Sequence, residues 1–427
     1  MKALFKAPVA WLLALLAQAI LRKYRPLVVM VTGSVGKTST KDAAAAVLAG
    51  RFHLRASEKS YNSEFGVPLT IIGAKNPWEN PAAWIRVFQE ALALVLLPSH
   101  YPKLLVLEVG ADRPGDLARI LRFADPDAVI VTRLPEVPVH VEAYASPQAV
   151  REEEFAPAYA LTPGEPLIIS ADDPHAVSMA ARLPAKVFTF GFADGADVRL
   201  AGFSFFEEGE MCGMEAALDI EGAAYTLRVP GALGRSQLYA PAAGIACALS
   251  LGMSPEDALA AAASYVPPAG RGRILRGKEG ALLIDDSYNA SPAAVEEALS
   301  ALVLVPGRSR RIAALGDMLE LGRYSADEHA RIGTLAAQKV DVLVAVGSRS
   351  RAMRDAAVAS GMPEERALWF ANSREAAEAL SDMIAASDIV LVKGSQGIRM
   401  ERVMETLLHN SEDRQHLVRQ EREWRAR

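Results

Sequence analysis

Ten residues constrain the fold of this chain more than any others: V-T-G-S-V-G-K-T-S-T, residues 31–40, where an apolar run breaks into glycines, a lysine and hydroxyls. That order reads as a strand, a phosphate-binding loop and the first turn of a helix. The generic loop is G-x-x-x-x-G-K-[ST], but the residue five before Gly36 is Val31, so the match is to a shorter form, G-x-x-G-K-T. The physics survives the shortening. Backbone N–H groups of Gly33, Ser34, Val35 and Gly36 can converge on phosphate oxygens, and the helix N-terminus adds positive potential. Lys37 is expected to reach the terminal phosphates, and the hydroxyl of Thr38 or Ser39 a magnesium ion.

The surroundings of the loop set the fold class. Apolar strands recur at 104–107, 128–131 and 167–169 with helical stretches between them, as in a mostly parallel sheet covered by helices. Between about 187 and 229, short alternating segments such as V-F-T-F-G-F and A-Y-T-L-R-V predict a small antiparallel section. The alanine-rich residues 241–251 then predict a helix returning to the first domain. Two prolines and two glycines break the pattern at 265–273, and beyond them strand and helix alternate afresh, as in a Rossmann-like doubly wound domain. The expected class is α/β, divided into a hydrophobic helix (1–25), a P-loop domain (26–270), a second domain (271–411) and a charged tail (412–427). The tail reads as a solvated, fraying helix.

Composition narrows the partners. A chain of 427 residues exceeds one ordinary core, and a net charge of −5 argues against nucleic acid, which needs a basic surface. Two cysteines, Cys212 and Cys247, build no disulfide framework and sit in no metal-binding spacing, so a reducing cytoplasm is the simplest compartment. Residues 7–21 are apolar except for Gln18, and Lys2, Lys6, Arg22, Lys23 and Arg25 flank them. Fifteen helical residues reach only about 22 Å, short of the ~30 Å hydrocarbon core. Two readings stay open: a helix lying on the membrane surface, or one packed on its own domain or on a second copy.

The loop alone permits several trades, so other motifs must decide. Glu108 ends the strand L-L-V-L-E, at the carboxyl edge where parallel sheets bind ligands, and is placed to hold magnesium. His140 lies in P-E-V-P-V-H-V-E, and spacing alone assigns it nothing. The long segments Y-N-S-E-F-G-V-P (61–68), L-E-V-G-A-D-R-P-G-D (107–116), I-D-D-S-Y-N-A-S-P (284–292), L-G-D-M-L-E-L-G (315–322) and V-K-G-S-Q-G-I-R-M-E (392–401) carry a resemblance. Together with the loop they resemble the ATP-dependent Mur ligases, from residue 27 onward.

What the resemblance implies is amide formation through an acyl phosphate, with ATP and Mg2+, joining D-alanyl-D-alanine to a muramyl-peptide acceptor. It implies magnesium contacts for Thr38, Glu108 and His140. It sets Asn289 and Asp285 towards the nucleotide or acyl phosphate, and Arg271 or Arg273 at the phosphates after domain closure. Asn62, Lys393, Ser395 and Arg399 would meet the substrates. The same chemistry on a different or lipid-linked acceptor, and a nucleotide-binding scaffold without turnover, remain alternatives.

Three departures from the family pattern stand out. Glu154 occupies the position, fourteen residues after His140, where most members carry a carbamylated lysine; its carboxylate is expected to serve directly or through water. Ser236, Gln237 and Ala240 replace the usual residues near the adenine. Only the hydrophobic helix precedes the loop, where the family places a domain for the uridine diphosphate sugar. The segment 59–66, or a partner, is then expected to grip that group. Oligomeric state is not legible.

Overall fold

The computed structural model describes residues 3–58, 60–77, 80–209, 211–420 and 424, with side chains from Ala7 onward. Lys2, the side chain of Lys6, Lys59, and residues 421–423 and 425–427 of the tail lie outside the described residues.

After helix α1 (Ala3–Tyr24), the first sheet is built from β1 (Leu27–Thr32), β2 (Leu54–Ala56), β3 (Leu104–Glu108), β4 (Ala128–Val131), β5 (Pro166–Ser170), β6 (Lys186–Gly191), β7 (Val198–Glu208), β8 (Met211–Ile220) and β9 (Ala223–Pro230). Their spatial order is β2-β3-β1-β4-β5-β6-β7-β8-β9. β1 pairs in parallel with both β3 and β4, which explains its unbroken apolar run: a central strand covered on both faces has no wet side. Its residues alternate between two cores. Val29 and Val31 pack towards α2 (Lys37–Leu48) and the helix Ser236–Ser250, while Val28 and Met30 face α1, α3 (Gly66–Ile72) and α4 (Pro81–Leu96).

The expected antiparallel section is smaller than the sequence suggests. The V-F-T-F-G-F segment is β6, and it runs parallel to β5; antiparallel pairing begins only at β7–β8 and β8–β9. Alternating apolar residues report that one face of a strand is wet, not the direction of its neighbour.

The second sheet, β10 (Arg273–Arg276), β11 (Leu282–Asp286), β12 (Arg311–Gly316), β13 (Val342–Val346), β14 (Ala367–Phe370) and β15 (Ile389–Lys393), has the order β10-β11-β15-β12-β13-β14. All of its pairs are parallel except β10–β11. One apolar cluster runs through both domains, joining Val31 and Ala43 of the first to Ile284 and Val295 of the second.

α1 packs on its own domain. Leu13, Ala17 and Ile20, one helical stripe, are fully buried. Lys23 Nζ donates to the carbonyls of Leu94, Val95 and Leu97 at the end of α4, and Tyr24 stacks on Tyr101. The tail is a correction too: its described part docks instead of fraying in solvent. Leu417, Val418 and Arg419 are buried, and Arg419 bonds to Glu401 Oε2 at 2.9 Å and to the carbonyls of Ser287 and Tyr288. A charged sequence hides this docking because Arg419 carries its partner, Glu401, on a different element.

Candidate active site

The loop leaves β1 at Thr32 and enters α2 at Lys37. Gly33 and Gly36 both have positive φ, 112° and 92°, and a side chain at Gly33 would collide with Thr132 Oγ1. The Ser34 N–H bonds to the Arg133 carbonyl at 3.0 Å, while Ser34 Oγ is buried without a partner. Lys37 Nζ donates to the Gly33 carbonyl and stands 3.5 Å from Glu154 Oε1. Asn62 lies on the same side: its carbonyl accepts from Gly110 N–H at 3.2 Å, and a side chain added at Gly110 would meet both its amide and Lys37 Cε.

Thr38 is a point of convergence. Its Oγ1 lies 3.2 Å from Glu108 Oε1, 3.1 Å from Ser60 Oγ and 3.3 Å from Arg271 Nη2, which arrives from the hinge. Ser39, one residue on, lines the interdomain cavity. Glu108 is buried, and burial raises its pKa against the pull of Lys41, Lys37 and Arg271; its Oε2 has no partner. An orphaned buried carboxylate oxygen beside a threonine hydroxyl suits a hard divalent cation. Among the described residues no three His, Cys, Asp or Glu side chains gather to hold a metal by themselves. Magnesium does not require this, since it keeps waters and takes phosphate oxygens.

Glu154 comes to the loop from the helix Pro147–Tyr159. Its Oε2 accepts from Gly33 N–H at 3.3 Å and Thr32 Oγ1 at 3.2 Å, and burial raises its pKa while Lys37 opposes. His140, at φ 65°, places Nδ1 2.8 Å from Glu320 Oε2 of the second domain and Nε2 3.5 Å from Asp112 Oδ1. Burial works against its charge, but Glu320 and Asp112 prevail and raise its pKa. The structure thus gives His140 an interdomain carboxylate partner that spacing did not reveal.

The second domain contributes unequally. Arg271 lies over the Tyr288 ring at 4.1 Å and lines a cavity of about 350 Å3 between the domains. Arg273 starts β10 opposite Asp285 and is not among the residues lining that cavity. Asp285 is fully buried and is not among the residues lining the cavity; it accepts from Ser287 Oγ, Ser287 N–H and Gly270 N–H, and so holds the hinge. Its neighbour Asp286 lines the cavity and takes Lys393 Nζ at 2.7 Å. In D-D on a strand, only one carboxylate can face the ligand, and the sequence does not say which. Asn289 Oδ1 turns back to Ala290 N–H, while its carbonyl accepts from Lys393 at 3.0 Å. Ser395 bonds Leu319 N–H and Arg399 pairs with Glu401, so both are engaged within the second domain.

Ser236, Gln237 and Ala240, where the sequence departs from the family pattern, line this cavity. Arg235 lies over Phe192 at 4.1 Å and near Tyr239. Gln237 is 7% exposed; its Nε2 holds the Arg271 carbonyl at 3.0 Å, and its Oε1 is unpartnered. Neither Arg235 nor Tyr239 stood out in the sequence, because their signal is mutual proximity across a helical turn.

A phosphate loop on one α/β domain, met at its threonine by an arginine from a second domain that closes on it, is the arrangement of an ATP-dependent amide ligase. The chain belongs to the Mur ligase family. The "Mur ligase middle domain" matches residues 31–248 and the "Mur ligase, glutamate ligase domain" residues 270–396. The chain is similar to the UDP-N-acetylmuramoyl-tripeptide–D-alanyl-D-alanine ligase of Bacillus subtilis, 25% identical over 92% of this chain and 79% of that protein. It is 30% identical to that of Mycobacterium tuberculosis, over 89% of this chain and 72% of the other. Among solved structures it resembles the MurF ligase of Thermotoga maritima in complex with ADP, at 25% identity and a TM-score of 0.77, covering 95% of this chain and 84% of that one.

Proposed function

We propose that this chain adds D-alanyl-D-alanine to a muramyl-peptide acceptor in peptidoglycan synthesis, using ATP. The observation that carries the reading is the meeting of Thr38 with Glu108 from its own domain and Arg271 from the other. A carboxylate oxygen of the acceptor attacks the γ-phosphorus, the bond to the bridging oxygen breaks, and ADP leaves an acyl phosphate. The amine of D-alanyl-D-alanine then attacks the acyl carbon, and phosphate departs as the amide forms and the amine loses a proton. In-line transfer of this kind needs positioning and charge neutralisation above all. Lys37 from the loop and Arg271 from the second domain would supply the cations that neutralise the phosphates.

Thr38 and Glu108 would hold magnesium, which when bound neutralises the phosphate oxygens, and the Glu154 carboxylate stands in for the carbamate. Asn62 beside Lys37 suits the acceptor, and Lys393 suits the second half-reaction. The apolar outer face of α1 supports a station at the inner face of the plasma membrane, which favours a lipid-linked acceptor as the second reading. Phosphate release should require ATP, a UDP-muramyl tripeptide and D-alanyl-D-alanine together. Release only with a lipid-linked peptide would select the second reading, and no release with any acid or amine would leave a scaffold.

A further inference from the structure

α1 has two apolar sides. Leu13, Ala17 and Ile20 are sealed against the domain, yet Trp11 and Leu15, one helical turn apart, and neighbouring Leu12 face solvent, Trp11 at 65% exposure. A helix that is apolar all round is ordinarily buried all round, so the outer half of α1 lacks the apolar phase its inner half has. α4 repeats the pattern: Trp84, Val87 and Ala91 point inward, while Ile85, Leu92 and Leu96 point out, with Leu97 just beyond its end. Lys23 of α1 binds the last carbonyls of α4, so the two helices sit side by side with their C-terminal ends together. Monomeric proteins rarely leave so many large apolar side chains together in water.

The charge around this face has one sign at its joined end. Arg22, Lys23 and Arg25 are exposed there, α4 adds exposed Arg86 against exposed Glu90, and residues 1–41 contain no acidic residue. Among the described residues no helix is long and apolar enough to cross a membrane. We propose that the paired outer faces of α1 and α4 lie on an anionic lipid surface. Trp11, Leu15, Leu92 and Leu96 enter the acyl boundary, and Arg22, Arg25 and Arg86 meet the headgroups. A second copy would bring its own Arg22, Lys23 and Arg25 to the face, and the two helices carry one acidic residue, Glu90, to answer them; anionic lipid supplies the missing countercharge. The inference rests on the membrane station above and not on the ligase chemistry, so vesicle binding and turnover are read separately.

The full chain is floated with phosphatidylcholine vesicles, with and without phosphatidylglycerol. It should bind the anionic vesicles, lose binding as salt rises, and bind at least about tenfold more weakly as Leu92→Glu/Leu96→Glu. Arg22→Glu/Arg25→Glu should weaken binding too, and both variants should keep the wild-type melting temperature and phosphate release in free solution. Failure to float with anionic vesicles overturns the proposal, as does equal binding without phosphatidylglycerol. A dimer in light scattering that Leu92→Glu/Leu96→Glu splits would assign the face to a second copy instead.

Discussion

Two buried carboxylates carry opposite duties, and each can be tested by removing only its charge. Glu154→Gln keeps an acceptor for Gly33 N–H and Thr32 but withdraws the anion facing Lys37. The magnesium concentration for half-maximal phosphate release should rise roughly tenfold; an unchanged magnesium dependence would remove Glu154 from that role. Asp285 instead holds the hinge, and burial raises its pKa to about 6. Its unfolded value lies near 3.9. A group whose folded pKa is raised contributes its stability in full below the unfolded pKa and loses it as pH rises through the folded one. The stability of the wild type relative to Asp285→Asn should therefore fall by on the order of 2 kcal/mol from pH 4 to pH 7. Parallel melting curves for the two proteins across that range would show that Asp285 titrates normally.

At the scale of elements, what the sequence reveals depends on whether a signal is local. β1, β3, β4 and β15 announce themselves because buried parallel strands are apolar throughout, and the phosphate loop because its glycines, lysine and hydroxyls are contiguous. Lys37 and Thr38 could be singled out for that reason, and Glu108 because it ends an apolar strand. β6 was misread in direction because strand direction is a property of a pair. The alternatives for α1 stayed open because its outer and inner stripes are equally apolar, and only packing shows that Leu13, Ala17 and Ile20 are the inner one. The tail's docking depends on Arg419 meeting Glu401 and two carbonyls of the D-D-S-Y-N turn, partners 18 to 132 residues away. Asp286 and Glu320 lay inside quoted motifs but were not singled out, since their roles appear only when β11 turns one carboxylate to the cavity and the second domain approaches His140.

At the scale of the whole molecule, one apolar cluster runs through both domains and holds them against each other. A polar seam then fixes their register at the phosphates. Tyr288 is central to it: its ring lies against both Arg271 and Arg419, at 4.1 and 5.5 Å, and its hydroxyl donates to Ser60 Oγ at 2.9 Å, which in turn touches Thr38. Tyr288→Phe keeps the ring for both arginines and deletes only the link to Ser60. One such bond is worth about 1 kcal/mol, so kcat/KM for ATP should fall about fivefold with little change in melting temperature. Ser60→Ala should cost a similar amount, and the double variant little more than either single one, because both act through one bond. Fully additive losses would mean that Tyr288 and Ser60 serve the site separately, and that closure is registered by Arg271 and Thr38 without them.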